Sequence, residues 1–120
     1  MLASELTMEF ARKCYADAEM TPISDTYGYY GMCGCLVGAM SVAVDHYRED
    51  DIETFFMSEY DLKVTEMNSI VMGFDNGFDG VYEKGAMFVP TYVETTETED
   101  WYSAAFKIGE TFRKEKNERK

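Results

Sequence analysis

The sequence predicts a mainly α-helical fold: a single small domain of four or five helices around a central apolar helix, with a small irregular or β element near residues 81–93. Three observations carry this expectation. Apolar residues recur at spacings of three and four along most of the chain, which is the period of a helix with one buried face. Residues 26–44 carry no charge, and from 32 to 44 they are continuously apolar or small. A chain of 120 residues that is 46% hydrophobic, with eight Phe, nine Tyr and one Trp, can fill one core without disulfides or a structural metal.

The first helix is expected over 5–19, capped by Ser4, with Leu6, Phe10, Cys14 and Ala18 inward and Ala3, Ala11 and Tyr15 flanking them. Thr21-Pro22 ends it, because the residue before a proline is pushed out of the helical region, and the Gly- and Tyr-rich residues 22–32 read as a loop. The central helix follows over 34–48, apolar nearly all round until Asp45-His46-Tyr47-Arg48. Small residues at Gly34, Gly38, Ala39 and Ala43 offer a neighbouring backbone a close approach.

A short third helix is expected after Asp50 or Asp51, with Ile52, Phe55, Phe56 and Tyr60 on one face. Thr65 reads as the cap of a fourth, with Met67, Ile70, Val71 and Phe74 inward and Asn76-Gly77 as its stop. Periodicity fails from 78 to 95, where Gly80, Gly85 and Pro90 punctuate short apolar runs. Thr96 and Glu99 form a capping box for a last helix with Trp101, Ala104 or Ala105, Ile108 and Phe112 inward, and its cationic end, 113–120, complements the helix dipole.

The charge is the most unusual feature. Twenty-three acidic residues face eleven basic ones, a net charge of -12. Five of the bases lie in 113–120 with only two acids, which leaves six bases against twenty-one acids, net -15, in residues 1–112. Such a body repels phosphates, so direct nucleic-acid and anionic-membrane binding are disfavoured. The uncharged run 26–44 is long enough to prompt the question of a membrane span, but its Tyr- and Gly-rich first half reads as a polar approach to a buried helix. Glu5 and Glu9 interrupt the first ten residues, so no secretory signal is expected; three cysteines, an odd number, agree with a reducing compartment, and the expected location is the cytoplasm.

Cys33-Gly34-Cys35 is expected at the start of the central helix, where free N–H groups lower a thiol's pKa. The one histidine, His46, lies eleven residues along the same helix, about 16 Å away, so no Cys-His dyad forms within it. Cys14, Cys33, Cys35 and His46 number four, but they lack the paired spacing of zinc ligands. Asp75-Asn76-Gly77-Phe78-Asp79-Gly80 starts like a calcium loop, yet Ala86 stands where the bidentate carboxylate belongs. No metal, cofactor or catalytic residue is therefore expected.

Two readings remain. Tyr27, Tyr29, Tyr30, Gly31, Cys33, Gly34 and Cys35 bring aromatic faces beside a helix N-terminus and could hold a nucleotide or phosphate-like ligand, or support a cysteine-dependent enzyme. Alternatively, Asp45, Glu49, Asp50, Asp51 and Glu53 with Glu94, Glu97, Glu99 and Asp100 form two acidic clusters. Brought onto one side, these nine carboxylates would approach the charge density of duplex DNA, one charge per about 1.7 Å.

Cys33-Gly34-Cys35-Leu36-Val37-Gly38-Ala39-Met40, followed by Ile70 and Phe74-Asp75-Asn76, resembles a family of small uncharacterised bacterial and phage helical domains. Its pattern is a Cys-x-x-Gly-Ala helix start and a later aromatic-Asn-Asp helix end; here the order is Asp-Asn. The resemblance implies a mainly helical domain and a phage or mobile-element setting. The leading expectation is thus a non-catalytic acidic interaction protein that binds and modulates a cationic or nucleic-acid-binding host protein by nucleic-acid mimicry, phage-encoded as the resemblance implies.

Overall fold

Thr7 opens the first helix. In the computed structural model, which describes residues 1–24, 29–30, 32–45, 59–80 and 96–118, the Thr7 hydroxyl accepts the Phe10 N–H at 3.1 Å and α1 runs Met8–Ala18. The expected cap, Ser4, lies instead in a short 3-10 turn, Ala3–Glu5. Two caps compete within four residues, and the one whose hydroxyl reaches an orphan N–H begins the α-helix. α1 stops at Glu19, which adopts a left-handed φ of 56°, while the Met20 N–H bonds back to the Tyr15 carbonyl. Ala11, Cys14, Tyr15 and Ala18 form its buried face.

The stretch expected to be a loop, 22–32, and the residues on either side of it form a three-stranded sheet of two-residue strands: β1 Thr21–Pro22, β2 Tyr29–Tyr30 and β3 Cys33–Gly34, in the order β1-β3-β2. β1 runs parallel to β3, with Thr21 opposite Cys33; β2 runs antiparallel, with Tyr30 opposite Cys33. The central helix therefore begins later than expected. α2 spans Leu36–Asp45, and Cys33 and Gly34 belong to a strand, because their backbone groups are spent on both neighbouring strands before the helix starts. Leu36, Val37, Ala39 and Met40 are fully buried, so α2 is the apolar centre of the fold. Burying a Leu or Met side chain contributes roughly 1.5–3 kcal/mol.

Most of the expected third helix lies outside the described residues; Glu59 and Tyr60 form its helical end before a turn at Asp61, whose φ is 54°. α3 spans Val64–Asp79, with Lys63 as N-cap, and stops at Gly80, φ 70°. Asn76-Gly77 does not end it. Gly77 is there for a different reason: a Cβ would overlap the backbone of Phe106. The last helix, α4, spans Thr96–Glu118 and buries Trp101, Tyr102, Ala105 and Ile108. The element expected near 81–93 lies outside the described residues. No helix among the described residues is long and apolar enough to cross a membrane.

α3 and α4 lie unusually close. Added methyl groups at Gly73, Gly77 and Gly109 would meet, respectively, the backbones of Tyr102, Phe106 and Phe74. Glu66 meets Trp101, Gly73 meets Tyr102, Gly77 meets Phe106 and Gly80 meets Arg113. Both series rise together, so the helices run parallel and Gly80 and Thr96, the ends that the chain must join, lie at opposite ends of the pair.

Candidate functional site

The parallel pairing brings the N-terminal ends of α3 and α4 together and makes an acidic end. Lys63 provides no side-chain cap, so Glu66 in the first turn of α3 does the work: its Oε1 accepts the Lys63 N–H at 2.8 Å. Its Oε2 accepts the Trp101 indole N–H at 2.9 Å. Glu66 is 7% exposed, a buried carboxylate held by two donors as such a group must be. Beside it is a cavity of about 400 Å³ whose lining includes Leu2, Asp61, Lys63, Glu66, Asp100 and Trp101. Asp61 and Asp100 are exposed. Acidic groups at paired helix N-termini also complement the dipoles of both helices.

Of the acidic residues chosen from sequence, Asp100 lies in this cavity's lining, and Glu97 and Glu99 lie in the first turns of α4 beside it in sequence. Asp45 ends α2. Glu49, Asp50, Asp51, Glu53 and Glu94 lie outside the described residues. The structure adds Asp61 and Glu66, which sequence reasoning missed. Glu66 does stand three residues after its N-cap, but with Lys at the cap the usual Ser/Thr signature is missing.

The Tyr/Gly loop has a different environment from the one expected. Tyr27 and Gly31 lie outside the described residues. Tyr29 and Tyr30 are strand residues paired with Cys33 and Gly34. The Gly34 carbonyl accepts both the Tyr15 hydroxyl, at 2.8 Å, and the Ile23 N–H, at 3.2 Å. Cys35 precedes the first residue of α2, its carbonyl accepting the Ala39 N–H at 3.0 Å, and its side chain is sealed from solvent. The N-terminus of α2 thus opens into the core, where Leu36 and Val37 are fully buried, and a helix end in that position does not face an anion from solvent.

The thiols divide by burial. Cys33 is partly exposed, Cys14 and Cys35 are buried, and none is in a disulfide. Burial, with a smaller contribution from Asp17, pushes the Cys14 thiol up to about 11; burial also raises the Tyr15 and Tyr60 hydroxyls. These shifts run opposite to those of a nucleophile prepared for neutral pH. Asp75-Asn76-Gly77-Phe78-Asp79 is helical, within α3, and His46 lies outside the described residues. Among the described residues, no three His, Cys, Asp or Glu side chains are grouped to hold a metal ion. Compared with family models, curated proteins and solved structures, the chain matches none.

Proposed function

We propose that this protein binds a cationic partner protein through its acidic end and modulates it by standing in for nucleic-acid phosphates. The observation that supports this is the convergence of Asp61, Glu66 and Asp100 on one cavity, where they outnumber the lining cations, Lys63 and the Met1 ammonium, in a chain whose first 112 residues carry a net -15. An Arg or Lys side chain entering that cavity meets the exposed carboxylates of Asp61 and Asp100 at the rim, which attract guanidinium and ammonium groups. The long-range field steers a cationic partner inward before contact. A phage setting, which the resemblance of residues 33–40 and 70–76 implies, would make that partner a host protein.

The test is capture of nucleic-acid-binding proteins from bacterial lysate on the immobilised protein at low salt. The proposal expects release at about 0.5 M salt, where the Debye length falls to about 4 Å, and displacement by added duplex DNA. It also expects loss of capture when Asp61→Asn is combined with Asp100→Lys. Capture that survives both salt and that variant would replace mimicry with an apolar interface. Loss of capture on substituting Tyr29 or Tyr30, with the acidic variant still active, would move the site to the Tyr/Gly loop.

A further inference from the structure

At the opposite end of the parallel pair the sign of the charge reverses. A groove of about 350 Å³ lies between α1, β1 and the C-terminal ends of α3 and α4; its apolar surface comes from Pro22, Ile23, Phe78 and Phe112 and its charged groups are Arg12, Glu115 and Lys116. That volume is at the lower end of ligand pockets, roughly 300–1,000 Å³, and suits one or two bulky side chains rather than a whole cofactor.

The two cations differ in what holds them. Both terminal nitrogens of Arg12 bond to the Glu115 carboxylate, with the guanidinium carbon 5.6 Å from the centre of the Phe112 ring. Lys116 has no carboxylate within ion-pair distance among the described residues; its ammonium lies 5.3 Å from the centre of the Phe78 ring. Arg113 and Lys114 precede Lys116 on the same helix, Lys114 near Glu110 and Arg113 bonded to the Gly77 carbonyl. An ammonium over an aromatic face keeps most of its charge available to an incoming anion. The groove is therefore apolar in its floor, and at its rim Glu115 offsets the charge of Arg12 and leaves the Lys116 ammonium in excess, in a chain whose net charge is -12.

We propose that this groove seats an acidic peptide segment of a partner protein: a bulky apolar side chain lies against Phe78, Phe112 and Ile23, and neighbouring carboxylates reach Lys116 and the Arg12 edge. Recognition is by side chains and not by strand addition. β1 is an edge strand, but the Thr21 and Ile23 N–H groups are bonded inward to Met32 and Gly34 and Pro22 between them has no N–H to offer. The proposal is independent of the acidic-end reading, since it concerns a different surface and a ligand of opposite charge.

The test uses the full chain and a fluorescein-labelled peptide, Asp-Glu-Phe-Leu-Glu-Asp, by fluorescence anisotropy at about 0.15 M salt, where the Debye length of about 8 Å confines the effect of distant carboxylates. The peptide is expected to bind saturably with a sub-millimolar dissociation constant, and Asp-Glu-Ser-Gly-Glu-Asp, which has no apolar anchor, is expected not to bind. Lys116→Glu is expected to weaken binding by about tenfold or more, and Lys107→Glu, an equal change in net charge at an exposed site about 13 Å back along α4, is expected to leave it unchanged. Circular dichroism of both variants keeps folding out of the comparison. The proposal is overturned by any of four results: no binding, equal losses in both variants, preference for Arg-Lys-Phe-Leu-Lys-Arg, or amide shifts of the bound protein that fall around residues 61–66 and 100 instead of 21–23, 78 and 112. Binding of decanoate in the groove without binding of the peptide would assign it to a lipid and also overturn the proposal.

Discussion

The Trp101 indole N–H donates to Glu66 Oε2 at 2.9 Å, so one buried carboxylate both closes the first turn of α3 and fixes the start of the packed face of α4. Removing one partner of a buried hydrogen bond to a charged group costs about 1–3 kcal/mol. Glu66→Ala should therefore lower the unfolding free energy by that amount, with Glu66→Gln costing less because its amide oxygen can still accept. Trp101 is the chain's one tryptophan, so its emission in a urea titration reports the loss directly. An unchanged midpoint for Glu66→Ala would mean that the bond contributes nothing to stability.

The glycines at the α3–α4 contact should be intolerant of a methyl group. Alanine is the better helix former by about 1 kcal/mol, and at an open helix position Gly→Ala would stabilise. At Gly73, Gly77 and Gly109 the added Cβ meets backbone, which cannot rotate away, so each substitution should cost about 2 kcal/mol or more net. Gly80→Ala should cost less, about 1 kcal/mol, because its penalty is a left-handed φ of 70° beside the mobile end of the Arg113 side chain. Chemical denaturation of the four variants checks the ranking.

Stability should fall in alkali. Cys14, Tyr15 and Tyr60 all hold their protons more tightly in the folded state, chiefly through burial. A raised acid pKa means that the folded chain binds more protons than the unfolded chain between the two values. The stabilisation is complete below the ordinary thiol pKa of 9.0 and is lost as pH rises through about 11 for Cys14. The melting temperature should decline over that window, and Cys14→Ala should make the decline shallower. A flat profile to pH 11 would contradict the burial of these three groups.

Thiol labelling should be ordered. At pH 8, dithionitrobenzoate should modify Cys33 first, because it is partly exposed, while Cys14 at 4% and Cys35 at 0% exposure wait for unfolding. Mass spectrometry of the labelled peptides tells the sites apart. Early labelling of Cys35 would reopen the N-terminus of α2 as a site.

The helices were legible in the sequence because each buries a stripe. Cys14 and Ala18, Met67, Ile70 and Phe74, and Trp101, Ala105 and Ile108 are all buried at the spacings that predict them. What was not legible depends on partners distant in the chain. Two-residue strands are too short to display an alternation, and β1, β2 and β3 exist only through mutual pairing. Gly77 reads locally as a helix stop, and only the backbone of Phe106 reveals it as a point of contact. The same holds for the candidate surfaces. Asp100 stands out in its acidic run, but Asp61 and Glu66 join it only because α3 and α4 run in the same direction. The basic residues at 113–116 were visible as a cluster, whereas Phe78, Pro22 and Ile23 beneath them were assembled by folding.

That common direction also bears on how the chain reaches its native state. An antiparallel pair can zip outward from a short turn, gaining contacts as soon as the turn closes. Here the bonds between the two helices join residues 26, 35 and 36 positions apart, so a long loop must close before any of them forms. Loop closure is an entropic cost incurred in advance, and folding slows as contacts become less local. Docking of α4 onto α3 should accordingly be the slow step, with the nearer contact of Tyr15 with Gly34 established before it. Until α4 arrives, Phe74 and Phe78 remain uncovered by it, and aggregation during refolding should depend on that interval.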